Sequence, residues 1–165
     1  MTAESFFLDV AKISITVAGF AGVIGALRHT RDLAWKPNEV NGLKLMLDHS
    51  VVGVVVGLLP SVLSLCFADE QTVWVSLSAL LAFFFAYEIL INIARVRQSS
   101  TAGAPPRQFG LLLAVFFVPT VGLLYFQIHN ILVSRTVVAA SAGALWLVVA
   151  GCIQFVVSSL SVERS

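Results

Sequence analysis

The sequence predicts an all-α, polytopic transmembrane bundle of about five spanning helices. Three observations carry this: an apolar composition, long unbroken apolar runs, and charges gathered in the links between them. Apolar residues make up 58% of the 165 and charged residues 12%, with a positive mean hydropathy. In water such a chain could not cover its own surface, so its solvent is lipid. The runs are each near the roughly 20 residues a spanning helix needs. They lack strand-like alternation, and backbone in hydrocarbon must satisfy its own hydrogen bonds, so helices are expected and a barrel is not. The length suits these helices with short links and no folded soluble domain, so residues 1–165 are expected to form a single membrane-embedded domain. A net charge of +1 leaves no electrostatic footprint for nucleic acid.

The first run, Phe6 to Leu27, is preceded by a stretch that carries Glu4 and no basic residue, so no cleaved leader is expected. Asp9 and Lys12 intrude on this run, which makes four spans plus an N-terminal interfacial helix the alternative. Arg28, Arg31, Lys36 and Lys44 follow in the first link. There Trp35 suits the headgroup region, and Pro37 suits the first turn of a helix that runs on into the second span. That span is Ser50 to Ala68; a tight turn at Asp69-Glu70 leads to the third, Thr72 to Ala94. Arg95, Arg97 and Arg107 flank a stretch, SSTAGAPP, with the composition of a flexible linker near 98–107. The fourth span is Phe109 to Ile128, the next link Asn130 to Arg135, and the fifth span Thr136 to Leu160.

Basic links stay on the cytoplasmic side. This predicts an N-terminus outside, the first and third links and the C-terminal Glu163-Arg164 in the cytoplasm, and the other links outside, with Arg135 the one mismatch. Trp74 and Tyr125 suit the outer aromatic belt, while the Phe83-Phe84-Phe85 and Phe116-Phe117 runs suit lipid or the bundle interior.

At AGFAG (Ala18 to Gly22), then Trp35-Lys36-Pro37-Asn38-Glu39 and a second span opening on Ser50, the sequence resembles a loose group of small, uncharacterised bacterial membrane proteins. The resemblance covers about the first third of the chain. It implies a bacterial inner-membrane origin and no mechanism.

No catalytic residue is indicated, and the expectation is that the chain is not an enzyme. There is no GxxxxGK[ST], HExxH, CxxC or GxSxG. No cofactor or metal is called for: Cys66 and Cys152 fall at different depths and suit apolar packing, and His49 and His129 lie at opposite faces. Thr120-Val121-Gly122 matches the start of a potassium-filter motif but sits inside a spanning run, continued by leucines. Pro60 and Pro119 fall in mid-span, where an ordinary kink is the simpler reading.

Ionisable residues inside a span are costly and are the best pointers available. Ser5, Asp9, Lys12, Thr16 and Gly19 recur at spacings of four, three, four and three, along one face of the first helix. They read either as a neutralised Asp9-Lys12 pair near the interface or as the lining of an aqueous path. On the third helix Glu88, Asn92 and Arg95 share a face. Counting about 1.5 Å per residue puts Glu88 level with Gln154 of the fifth helix, with Asn92 and Ser158 below and His49 near the inner mouth of the second. This cluster reads either as a hydrogen-bonded clamp or as a proton or cation site. The glycines Gly19, Gly22 and Gly25, and Gly53 and Gly57 on the second helix, are packing positions where backbones can approach closely, within one chain or between copies.

Five short helices enclose little volume, so a path shared among copies is easier to build than one through a single copy. The leading expectation is a homo-oligomeric channel or pore with the first-helix stripe lining an ion path, and Asp9, Lys12, Thr16, Glu88, Asn92 and Gln154 along it. The second is an accessory or scaffolding subunit bound to unlike membrane subunits. The third is a small proton-coupled carrier using Glu88. The expected surroundings are the lipid bilayer, other copies of the chain, and no nucleic acid.

Overall fold

Each apolar run folds as one continuous helix, because in a row of Val, Leu, Ile, Phe and Ala nothing competes with the backbone for its own hydrogen bonds. The computed structural model describes residues 2–30, 37–101 and 106–162. Its helices are α1 (Ala3–Thr30), α2 (Pro37–Cys66), α3 (Glu70–Thr101), α4 (Pro106–His129) and α5 (Val137–Val162), with a π-helical turn, Asn130–Ser134, between the last two. Five stretches of them are long and apolar enough to cross a membrane: Ala3–Leu27, Leu43–Cys66, Glu70–Ala94, Val115–Ser134 and Val137–Gln154. This is the character of an integral membrane protein. No strand occurs among the described residues.

The chain divides into two units. The first holds α1, α2 and the part of α5 from Ala144 onward; the second is Phe67–Gly143, with α3, α4, the π turn and the start of α5.

In the first unit α1 and α2 pack antiparallel along much of their length, and a regular run of contacts sets the register. Ser61 Oγ donates to Glu4 Oε1 at 3.4 Å. A Cβ on Gly57 would meet the Phe7 carbonyl oxygen at 2.6 Å and Ala11 at 2.7 Å, and one on Gly53 would overlap Ser14 Oγ. Further along, Val17, Ala21 and Met46 form a buried cluster. Small residues on both helices allow this approach, since dispersion contacts between closely seated backbones drive association where lipid is as apolar as the protein. The buried face of α1 is Phe7, Val10, Ala11, Ser14, Val17 and Ala21.

In the second unit α3 presents Val73, Trp74, Leu77, Ser78, Leu81, Phe84, Phe85 and Glu88 as its buried face. Gly143 lets α5 come close: a Cβ there would meet Gln127 Nε2 at 2.8 Å, Leu81 Cδ1 at 3.0 Å and Phe85 Cε2 at 3.4 Å.

Several boundaries differ from those expected. Pro37 does open a helix that continues into the second span, but the apolar stretch begins at Leu43, so Lys44 lies at the start of a spanning-length segment rather than in a link. The linker near 98–107 is shorter than predicted, because α3 runs to Thr101 and α4 starts on Pro106, a residue preorganised for a first helical turn. The link expected at Asn130 to Arg135 is almost wholly the π turn, which leaves Arg135 and Thr136 as the connection. Trp74 is buried rather than in an aromatic belt, its Nε1 donating to Glu70 Oε1 at 3.1 Å, whereas Tyr125 is exposed. Phe84 and Phe85 are buried and Phe83 is exposed. Cys66 and Cys152 are free and exposed rather than packed. Arg31, Trp35, Lys36, Glu163 and Arg164 lie outside the described residues, as do the side chains of Arg28, Arg95, Arg97, Arg107 and Ser158.

Candidate functional site

The polar row on α1 follows from helical spacing, and the structure shows which way it faces. Asp9, Lys12, Thr16 and Gly19 are exposed and Ser5 is half-buried, on the side of α1 away from Phe7, Val10, Ser14, Val17 and Ala21. Lys12 Nζ lies 2.9 Å from Asp9 Oδ1, with side chains 74% and 53% exposed. Thr16 Oγ1 donates to the Lys12 carbonyl at 3.0 Å, which spends its proton and leaves its lone pairs outward. The expected pair is therefore formed, and within the first unit it lies on the exposed face of α1 rather than on the face packed against α2.

The glycines beside this row stand apart from the packing. A Cβ on Gly19, Gly22 or Gly25 would meet nothing within 4 Å, whereas Gly53 and Gly57 are filled by α1. Of the five glycines on α1 and α2 expected to serve packing, Gly53 and Gly57 do so inside the chain, and Gly19, Gly22 and Gly25 meet none of the described residues.

The second unit buries its polar groups. Asn130, fully buried, donates from Nδ2 to Ser78 Oγ at 2.8 Å and to the Thr136 carbonyl at 3.0 Å. Its Oδ1 accepts from the Thr136 N–H at 2.9 Å, and its own carbonyl accepts from the Arg135 N–H at 2.9 Å. One side chain so closes the π turn, starts α5 and ties both to α3. Arg135, at φ 51°, is the non-glycine residue in the left-handed region that ends the turn.

One turn earlier Gln127, also fully buried, donates from Nε2 to the Ala139 carbonyl at 2.6 Å. That bond fixes the amide's orientation, since a flip would set oxygen against oxygen. Its Oε1 is buried and takes no hydrogen bond from the described residues. An unsatisfied buried carbonyl of this kind costs about 1–3 kcal/mol. Further along α4 Thr120 is buried and donates to the Phe116 carbonyl at 2.6 Å. The helix is continuous there, so the Thr120-Val121-Gly122 match is an ordinary helical segment.

Glu88 is buried on α3 in the second unit, with Asn92 half-buried one turn on; His49 and the half-buried Gln154 belong to the first. Neither unit by itself holds the cluster expected from depth. His49 is buried, with Nδ1 donating to the Leu45 carbonyl at 2.8 Å. The polar residues that the second unit does bring together, Ser78, Gln127, Asn130 and Thr136, were not singled out from sequence. The signal was available: Gln127 and Asn130 are two amides one turn apart at the end of an apolar run. Among the described residues no three His, Cys, Asp or Glu side chains gather as a metal ion would require.

At the turn between α2 and α3, Asp69 accepts from Thr72 Oγ1 at 2.7 Å and from the N–H groups of Gln71 and Thr72 at 3.2 and 3.0 Å. The Thr72 hydroxyl first, then the Gln71 amide, with smaller contributions from the Thr72 amide and the Arg135 charge, hold its carboxyl below the ordinary aspartate range against an opposing desolvation.

No protein-family model, curated protein or solved structure matches this chain.

Proposed function

We propose that the chain works as a homo-oligomeric membrane channel in which the α1 stripes of several copies converge on a shared ion path. One observation carries the reading: Asp9, Lys12 and Thr16 sit within a membrane-length helix yet point away from the face that packs on α2. A charged side chain at the middle of a spanning helix costs about 2.5–3.5 kcal/mol on insertion scales, less toward the interface. Pairing Asp9 with Lys12 removes part of this, and turning the pair toward other copies and water removes more. The open glycines alongside would let neighbouring α1 helices approach. Glu88, Asn92 and Gln154 have no assigned part in this path. A subunit of an unlike complex would cover the same face with another protein, and the test separates the two.

The expected particle in nanodiscs is a closed ring of identical chains with α1 toward its axis. In liposomes it should pass small ions; Asp9→Asn, which leaves a ring of lysines, should favour anions, and Lys12→Gln should favour cations. A folded monomer without flux would sink the proposal, and co-purification of an unlike chain in fixed ratio would favour the accessory role. The accompanying orientation, in a bacterial inner membrane with the Asp69 turn outside, predicts that a membrane-impermeant maleimide labels the exposed Cys66 in intact cells.

A further inference from the structure

The antiparallel register of α3 and α4 is marked where Asn130 bonds to Ser78. An equal number of residues further along each helix, away from that contact, come Thr120 on α4 and Glu88 on α3, so the two stand near the same depth, about 15 Å from it at 1.5 Å per residue. Both are buried. Between them and the π turn lies Gln127, on the same face of α4 as Thr120, with its oriented but unaccepting Oε1. The second unit therefore carries a buried row, Ser78, Asn130, Gln127, Thr120 and Glu88, through an otherwise apolar interior.

A purely structural clamp would use all the hydrogen-bonding capacity it buries, as Asn130 does. Gln127 does not, although leucine or methionine would fill its volume without an orphan oxygen. Its Oε1 is an acceptor that calls for a small donor, and water is the donor small enough to enter beside side chains this closely packed. We propose that the α3–α4 seam of each chain is hydrated, with water bound at Gln127 Oε1 giving the Glu88 carboxyl contact with the aqueous phase at the Asp69–Arg135 end. The site's ligand is water and, through it, the proton. It lies within one chain and does not rest on the α1 channel reading.

The test uses the full chain in proteoliposomes, with Cys66→Ser and Cys152→Ser removing the native thiols. Thr120→Cys and, separately, Ser78→Cys are exposed to silver ion added at the Asp69–Arg135 side. A thiol reacts through its thiolate, which forms where water reaches it, so both should react at least about tenfold faster than Val118→Cys on the exposed face of α4. Gln127→Leu should slow Thr120→Cys severalfold. Rates equal to the Val118→Cys control, or access from the opposite side alone, would overturn the proposal. In the unsubstituted chain, water-edited solid-state NMR on glutamine-labelled protein should show rapid transfer from water to the Gln127 amide, assigned by its loss in Gln127→Leu. A Gln127 signal without transfer overturns the proposal even if the cysteine variants fail to fold.

Discussion

Helices α1 and α4 each carry a row of polar side chains through an apolar span, and they dispose of it in opposite ways. On α4 and the π turn that continues it the row turns inward, so Asn130 finds Ser78 and Thr136 in its own chain, and Gln127 finds the Ala139 carbonyl. On α1 it turns outward: Asp9 and Lys12 have each other, and a side chain at Gly19 beside them would meet none of the described residues. In lipid, direction decides meaning. An inward polar group contributes to the fold of its own chain, whereas an outward one is favourable only where something other than lipid covers it.

Enlarging a glycine that α1 fills and one that it leaves open separates the two behaviours most widely. Gly57→Leu would drive a side chain into the backbone of α1 at Phe7 and Ala11, and should destabilise the chain by about 3 kcal/mol or more, seen as lost folded protein on purification in mild detergent. Gly22→Leu should leave the single chain folded and lower only the ring population. Equal loss of folding in both variants would mean that α1 has no free face.

Next in size is the inward row. Asn130→Leu keeps the volume but orphans the Ser78 hydroxyl and the Thr136 N–H. A loss of about 3 kcal/mol is expected in a reversible denaturation series. A variant as stable as the parent would show that the π turn holds without its amide.

The smallest effect lies outside the bilayer. The Asp69 carboxyl is held below its unfolded value, so its contribution is fully present above the ordinary aspartate range, near about pH 4, and is lost as pH falls through the folded value. A melting profile should show a shallow decline there that Asp69→Asn abolishes. An unchanged decline in that variant would assign it to another carboxylate.

Composition and run length were enough to read the five helices, because hydrocarbon thickness imposes a length that short apolar core segments do not share. The helix starting at Pro37 was legible for a local reason, the fit of proline to a first turn. The end of α4 was not: Asn130 and Ser134 read as link residues until the Ser78 hydroxyl, far away in sequence, satisfies the amide and lets the helix continue as a π turn. The α1 row was legible as a row, since spacing alone defines a face. Its outward direction was not, because that depends on Gly53 and Gly57 drawing the opposite face of α1 onto α2. The expected grouping of Glu88 with Gln154 rested on depth along the membrane normal, and it pairs a residue of the second unit with one of the first.

The connection between the π turn and α5 is only Arg135 and Thr136. Closing so short a loop takes little chain entropy, and the Asn130 amide clasps both ends of it at once. The two helices that meet there are joined at this end almost without slack, so a few glycines added to the link should raise the entropy lost on closing it while leaving each helix's own hydrogen bonds in place.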